Sequence, residues 1–251
     1  MSLDDAFASP QSKRQYVRRL FATIADRYDL ITRVLSYGQD ARWKAKLVAI
    51  ADVKTGERAL DLACGTGDIA FAMTARGART IGLDITHRML QLARLRAGFA
   101  RATSRADSAT ASSSQAQFVG GDMTSLPFRS DAFDLVTTGY GLRNVPDLDA
   151  AIAEIARVLK PRGRLLSLDF NKPESAVIRT AYLAYLTAVG STLGWILHRD
   201  PDTYRYIPAS IRRYPGARGV ADKMVARGFT NVRIVPLLFG LMTLHLAERS
   251  S

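Results

Sequence analysis

Three aspartates and a glycine turn carry the chemistry that this chain announces. Asp61 lies in the apolar run Leu60-Asp61-Leu62-Ala63, just before Cys64-Gly65-Thr66-Gly67. Paired glycines of this kind turn the chain sharply and let backbone approach a ligand. Asp84 ends the next apolar run, Thr80-Ile-Gly-Leu-Asp84, where a nucleotide-binding sheet delivers a carboxylate to ribose hydroxyls. Asp122 closes a third, in Gly120-Gly121-Asp122-Met123. It can accept from an adenine amino group while Met123 packs on the ring face.

The turn by itself is weak evidence, because with Ala70 it also fits the dinucleotide pattern G-x-G-x-x-A. Context decides. Asp61 is placed to meet the loop backbone or a ligand's ammonium, which a nicotinamide dinucleotide lacks, and no P-loop lysine follows the turn. Sugar, adenine and ammonium each find a matching group, and S-adenosylmethionine is the ligand that carries all three.

These groups need a scaffold of strand ends. Apolar runs alternate with helical patterns over residues 58–170, implying βα units around a mostly parallel sheet, an α/β fold with helices on both faces. Strands are predicted at 58–63, 79–83, 116–119, 133–138, 164–170, 231–236 and 241–247, seven in all. Helices are predicted at 68–76, 86–97, 147–159 and 217–227, with Gly228 ending the last. Residues 1–50 form a helical cap with Phe21, Ile24, Tyr28, Ile31 and Leu35 at helical spacing. Residues 51–251 form the main domain, with an Ala/Ser/Thr/Arg-rich surface insertion at 98–117. Residues 174–215 are expected to cover a substrate. Within them 176–197 is apolar, but Arg179, Gly190 and Gly194 make a membrane-spanning reading the weaker one. An interfacial helix with Tyr182, Tyr185 and Trp195 at headgroup depth stays open.

The chain has 251 residues, 47% of them hydrophobic, enough for one sizeable core. Its single cysteine, Cys64, excludes an internal disulfide, and the N-terminus carries no secretion signal, so a cytoplasmic location is expected. Cys64 reads as a small side chain in the glycine turn, at a helix start that could lower its pKa. A net charge of +12 favours anionic surroundings. No basic arm or RNA-binding aromatic signature is present, and no nucleic-acid partner is expected. His87, His198 and His245 lack ligand spacing, so no metal is expected.

Beyond these motifs, the chain resembles the S-adenosylmethionine-dependent C-methyltransferases of ubiquinone and menaquinone biosynthesis, from about residue 20 to the end. The resemblance is carried by Tyr28-Asp29, Leu35-Ser36, Trp43, Tyr140-Gly-Leu-Arg143-Asn144-Val145, Arg157-Val-Leu-Lys-Pro161, Asp169-Phe-Asn-Lys-Pro173, Asp200-Pro-Asp202-Thr-Tyr204-Arg205-Tyr206 and Ser210-Ile-Arg212. Two positions depart from it: Asp40 stands where the family commonly has histidine, and the usual Lys-Pro-Gly-Gly turn reads Lys160-Pro161-Arg162-Gly163.

The resemblance implies a Rossmann-like class I methyltransferase that methylates a ring carbon of a lipid-tailed demethylquinol, either a naphthoquinol or a benzoquinol. The expected donor-binding set is Tyr28, Asp61, Gly65, Thr66, Gly67, Asp84, Ile85, Asp122, Met123 and Gly139. Tyr140, Tyr204 and Arg205 are expected at the acceptor. Such a reaction needs a phenolate-like ring, hence a base or a positive group beside a hydroxyl. Arg143 and Asn144, following the fourth strand, are the expected catalytic pair. Arginine, with a pKa above ~12, would stabilise phenolate or orient water, while Asp122 or a water relays the proton. A basic surface including Lys13, Arg14, Arg18 and Arg19 implies peripheral contact with an anionic inner leaflet, and a homodimer is compatible with this reading. Two rivals are another methyl acceptor, such as nucleic acid, and a non-catalytic scaffold. The first is opposed by Thr138-Gly139-Tyr140-Gly141 where an amine-methylating Asn-Pro-Pro-Tyr-like tetrapeptide would stand, and the second by the presence of all three acids.

Overall fold

The strands form where apolar runs can be buried on both faces, and in the computed structural model they make one seven-stranded sheet. The structure describes residues 3–103, 116–200 and 203–251. The strands are β1 (Arg58–Leu62), β2 (Arg79–Asp84), β3 (Gln117–Gly120), β4 (Phe133–Gly139), β5 (Leu159–Phe170), β6 (Phe229–Leu237) and β7 (Met242–Arg249). Their order is β3-β2-β1-β4-β5-β7-β6, with β7 antiparallel to both β5 and β6 and the remaining pairs parallel. The chain reverses its direction of travel between β1 and β4, which opens a crevice at their carboxyl ends.

Four helices precede the sheet: α1 (Leu3–Ala6), α2 (Pro10–Ile24), α3 (Tyr28–Leu35) and α4 (Asp40–Ile50). Ser9 caps α2 by accepting from Ser12 N at 3.0 Å, and Pro10 takes the first helical position, where no amide donor is needed. The sheet helices are α5 (Asp68–Thr74), α6 (His87–Thr103) and α7 (Leu148–Val158); then come α8 (Ala176–His198), α9 (Tyr206–Arg213) and α10 (Gly216–Ala226). One face of the sheet packs Leu60, Val136 and Leu165 against Ile152, Ile155, Val220 and Met224. The other packs Ala59, Leu135 and Leu166 against Trp43, Leu47, Ile69 and Met73.

The sequence places the start of the fifth strand five residues late. β5 begins at Leu159, paired with Phe133, and resumes pairing at Arg164 opposite Leu135, so Lys160–Gly163 bulge outward opposite Asp134. Arg162 takes the left-handed turn conformation there, and Lys160 pairs with Asp134 at 2.6 Å. The turn is real, but the strand runs through it. The predicted insertion at 98–117 lies largely on residues 104–115, and Asp202 on the second gap; both fall outside the described residues.

Helix α8 does not roof the crevice. It lays Tyr182, Leu183 and Leu186 on Ile24, Ile31, Leu35 and Tyr204. Its opposite stripe exposes Val177, Ile178, Ala181, Ala184, Ala188, Thr192, Trp195 and Ile196, with Val177 79% and Trp195 68% exposed. Length and composition would allow α8 to cross a membrane. One of its faces is nonetheless packed against the protein.

Candidate active site

A cleft opens at the carboxyl ends of β1, β2 and β4. Ala63 and Gly65 follow β1, Asp84, Ile85 and Thr86 follow β2, Asp122 and Met123 follow β3, and Gly139, Tyr140 and Asn144 follow β4. Arg14, Val17 and Phe21 of α2 and Tyr28 of α3 close it from above. A smaller recess adjoins it through Tyr28, Ala63, Gly65, Gly139 and Tyr140, and adds Lys44, Asp61, Thr66, Asp68 and Ile69. Most of the expected donor set therefore converges. Gly67 lines neither space. It shapes the turn: at φ +94° an added Cβ would stand 2.8 Å from Phe71 and 2.9 Å from Phe118.

Backbone strain gathers at the same place. Ala63 and Tyr140, at the ends of the two strands flanking the crevice, hold left-handed φ of +51° and +62°. Non-glycine residues pay about 1–3 kcal/mol for such conformations, which persist where the surroundings dictate them. Tyr140 is pinned at both ends. Its hydroxyl donates to Asp40 Oδ1 at 2.7 Å, and its carbonyl accepts from Asn144 Nδ2 at 2.7 Å.

Each acid is placed differently. Asp61 is 1% exposed: its Oδ1 accepts from Thr137 Oγ1 at 2.9 Å, while Oδ2 is buried without a partner. Burial pushes its pKa up to about 7, because nearby donors and Lys44 do not repay desolvation. Asp84 accepts from Gly65 N at 2.9 Å and Thr86 N at 2.7 Å, so the carboxylate that faces the cleft also fixes the glycine turn. Asp122 is more committed than its expected adenine role requires. Thr124 donates to Oδ1 through both N and Oγ1, and Arg14 pairs with Oδ2 at 2.6 Å. A proton relay through Asp122 has no support here, since both its oxygens are engaged.

The expected catalytic pair divides. Asn144 lines the cleft, and its Oδ1, buried and without a partner, is available as an acceptor. Arg143 turns away from the cleft. Its Nε meets Asp169 Oδ1 at 3.3 Å, its Nη1 donates to Ser210, and the guanidinium lies 5.0 Å from the centre of the Phe170 ring. Arg143 N also donates to Asp169 Oδ2 at 3.0 Å. The arginine therefore fixes the turn that presents Asn144 and does not reach the reacting space. Lys13 of α2 grips the same turn from outside, donating to Val145 O at 2.6 Å and Arg143 O at 3.2 Å.

Tyr204 and Arg205 are not brought to the cleft. Tyr204 is buried under α8 beside Gly190, with its hydroxyl 2.9 Å from His198 Nε2, and Arg205 is exposed at the start of α9. The block holding them is structural at Tyr204 because a tyrosine under an apolar helix needs a polar partner for its hydroxyl. Cys64 also departs from expectation: burial and the nearby Asp84 and Asp61 raise its thiol pKa well above the ordinary value. Sequence reasoning gives no site role to Arg14, Lys44, Asp40 or Asp169: Arg14 reads as basic surface, Asp169 as part of a family block and Asp40 as a departure from the family pattern, while Lys44 leaves no trace. Among the described residues no group of His, Cys, Asp and Glu side chains is arranged to hold a metal ion.

The residues fit S-adenosylmethionine. The orphaned Asp61 Oδ2 awaits a cation, and the Gly65 turn, held by Asp84, leaves room for a ligand against backbone. Solved structures with the same architecture include a methyltransferase from Thermotoga maritima described as a possible histamine N-methyltransferase (TM-score 0.65, 17% identity, covering 93% of this chain and 100% of that one). A Haemonchus contortus phosphoethanolamine N-methyltransferase 2 in complex with S-adenosyl-L-methionine shares it too (TM-score 0.59, 14% identity, 84% and 53%). Fold and site together define an S-adenosylmethionine-dependent methyltransferase with the Rossmann-like class I fold.

Sequence relatives narrow the class. A demethylmenaquinone methyltransferase from Thermus thermophilus is 37% identical over 232 residues, 92% of this chain and 100% of that one. Another from Thermobifida fusca is 39% identical over 237 residues, 93% and 94%. A ubiquinone/menaquinone biosynthesis C-methyltransferase from Teredinibacter turnerae is 35% identical over 248 residues, 95% and 93%. The chain belongs to the ubiE/COQ5 methyltransferase family, which it matches over residues 9–249.

Proposed function

We propose that this enzyme methylates a ring carbon of a lipid-tailed demethylquinol, with Asn144 holding a ring hydroxyl. The observation that carries this reading is the unpartnered Oδ1 of Asn144, 8% exposed, in a cleft whose roof is apolar at Val17, Phe21 and Val145. An amide oxygen accepts from a hydroxyl, and the apolar roof suits an aromatic ring carrying a hydrocarbon tail. S-adenosylmethionine, when bound, supplies an electrophilic methyl group on a sulfonium sulfur and leaves as S-adenosylhomocysteine, and the ring carbon that gains the methyl loses its proton to solvent as the ring regains aromaticity.

The chain's own contribution is alignment and exclusion of water. Asn144 Oδ1 draws density from the hydroxyl hydrogen towards the oxygen, which makes the ortho carbon more nucleophilic. Tyr140 O clamps Asn144 Nδ2, so the amide cannot flip and present its donor instead. Arg143 and Asp169 hold the turn from behind, and Lys13 ties α2 down over it. Phe21 and Val17 keep the ring's surroundings dry, which favours a fixed near-attack arrangement over hydrolysis.

A membrane contact belongs to the same reading. The uncharged outer stripe of α8 adjoins α3, where Leu30 and Val34 are exposed, and just past α3 the exposed Tyr37 stacks on Tyr185 at 5.3 Å. No acid occurs anywhere in α8; Arg27 precedes α3, Arg33 lies within it and Arg199 follows α8, with Asp26, Glu174 and Asp200 near the same ends. An apolar strip edged with arginines suits an anionic bilayer surface on the cytoplasmic side. The +12 charge on each copy works against closing the strip with a second copy.

Incubation with S-adenosylmethionine and either demethylated naphthoquinol or demethylated benzoquinol, with methyl transfer read by mass, tests the substrate assignment. Product from one or both is expected. No product from either, with donor bound, would assign the enzyme to another acceptor.

A further inference from the structure

We propose that Lys44, clasped between Asp40 and Asp68, receives the α-carboxylate of the methyl donor, and that Asp40 is the residue that positions it. The inference deepens the donor assignment and rests on it. Lys44 enters the site from α4, outside every strand-end motif, and its side chain is only 12% exposed. Its Nζ lies 2.7 Å from Asp40 Oδ2 and 2.9 Å from Asp68 Oδ2. An ammonium has three N–H donors, and these carboxylates account for two.

The recess that holds Lys44 also holds Asp61 with its unpartnered Oδ2. One wall therefore offers a cation and another an uncommitted carboxylate oxygen, the complement of a zwitterionic amino acid. Asp68 spends Oδ1 on Arg96 at 3.0 Å, and Arg96 also meets Asp29 Oδ2 at 3.5 Å. Lys44 and Arg96 thus stand among Asp29, Asp40 and Asp68, and it is the third N–H of Lys44, not a net positive charge, that is offered to a carboxylate. Burial works against the Lys44 ammonium, but Tyr28, Asp40 and Asp68 outweigh it, and its pKa is raised; it stays charged at neutral pH.

Asp40 does two things at once. Oδ1 accepts from the Tyr140 hydroxyl at 2.7 Å while Oδ2 pairs with Lys44, joining α4 to the turn after β4. A neutral imidazole at this position could accept from Tyr140 but could not pair by charge with Lys44. The aspartate thus fixes the lysine electrostatically in this chain.

Calorimetric titration of the full chain with S-adenosylmethionine and with decarboxylated S-adenosylmethionine, which keeps the ammonium and lacks only the carboxylate, tests the assignment. The wild type should prefer the carboxylated ligand by roughly tenfold to a hundredfold, the scale of one charged hydrogen-bonded contact. Lys44→Met should abolish that preference and leave the decarboxylated ligand's affinity nearly unchanged. Lys44→Arg should restore part of it, and Asp40→Asn should reduce it. A purely structural lysine would weaken both ligands equally, and that result overturns the proposal, as does a preference that survives Lys44→Met. If Lys44→Met does not fold, an undiminished preference in Asp40→Asn together with no preference in Lys44→Arg overturns it. A wild type that binds neither ligand overturns the donor assignment and this one with it.

Discussion

Replacing Asp169 with asparagine should cost this protein much of its stability, because the change leaves a guanidinium buried without its counter-ion. Arg143 and Asp169 have side chains only 4% and 2% exposed, and the carboxylate takes three donors: Arg143 N at 3.0 Å, Arg143 Nε at 3.3 Å and Phe170 N at 2.8 Å. Asparagine keeps one acceptor oxygen but turns an NH2 group towards a donor. Breaking a buried pair by neutralising one member costs about 3–5 kcal/mol, a large share of the ~5–15 kcal/mol that stabilises a typical native protein. At about 2–4 °C per kcal/mol for a chain of this size, the melting temperature should fall by roughly 6–20 °C. Thermal melts followed by circular dichroism supply the measurement. The double variant Arg143→Met/Asp169→Leu should lose less than the sum of its single variants, since it removes both charges together. A fall of under about 2 °C in Asp169→Asn, or strict additivity in the double, would refute the argument that this pair holds the turn.

Asn144→Ala should lower kcat by roughly tenfold to a thousandfold while donor affinity stays near wild type, as steady-state kinetics and calorimetry on one preparation would show; a raised KM with unchanged kcat would assign Asn144 to binding alone. Asp61 has its pKa raised from 3.8 to about 7, so the fold holds its proton more tightly than the unfolded chain does. Stability without ligand should therefore fall as pH rises from about 4 to about 7 and then level, while donor affinity rises through about 7 as the carboxylate ionises to meet an ammonium. Asp61→Asn should flatten both profiles, and an unaltered pH dependence of binding would contradict the assignment. Trp195→Glu should abolish co-sedimentation with anionic vesicles without changing turnover of a short-tailed quinol; wild-type recovery that is equal with neutral and anionic lipid would count against the membrane face.

The strand ends were legible because each is a short apolar run closed by glycine or an acid, a pattern that both burial and close backbone approach impose. The β5 start was not, since Lys160-Pro161-Arg162-Gly163 reads as a break and only pairing with β4 reveals a bulge. Arg143 was legible as important but not in its role: nothing local says that Asp169, 26 residues on, and Ser210, 67 on, will claim its guanidinium. Tyr204 and Arg205 looked like a polar cluster awaiting a ligand, and α8 supplied His198 to Tyr204 instead. Lys44 carried no motif at all, because what makes it a site residue is the distance in space to Asp68 and Tyr140 and not its spacing in the chain.

Strand β3 is the outermost of the sheet, and the chain reaches it from α6, at the amino end of the strand, whereas every ligand-facing group named above stands at a carboxyl end or in the overlying helices. Gln117, the exposed first residue of β3, is thus a natural point of attachment for a fluorophore, an affinity tag or a tether to a solid support. A group grafted there would report on the enzyme from an edge strand, leaving the cleft and the recess at Lys44 unencumbered.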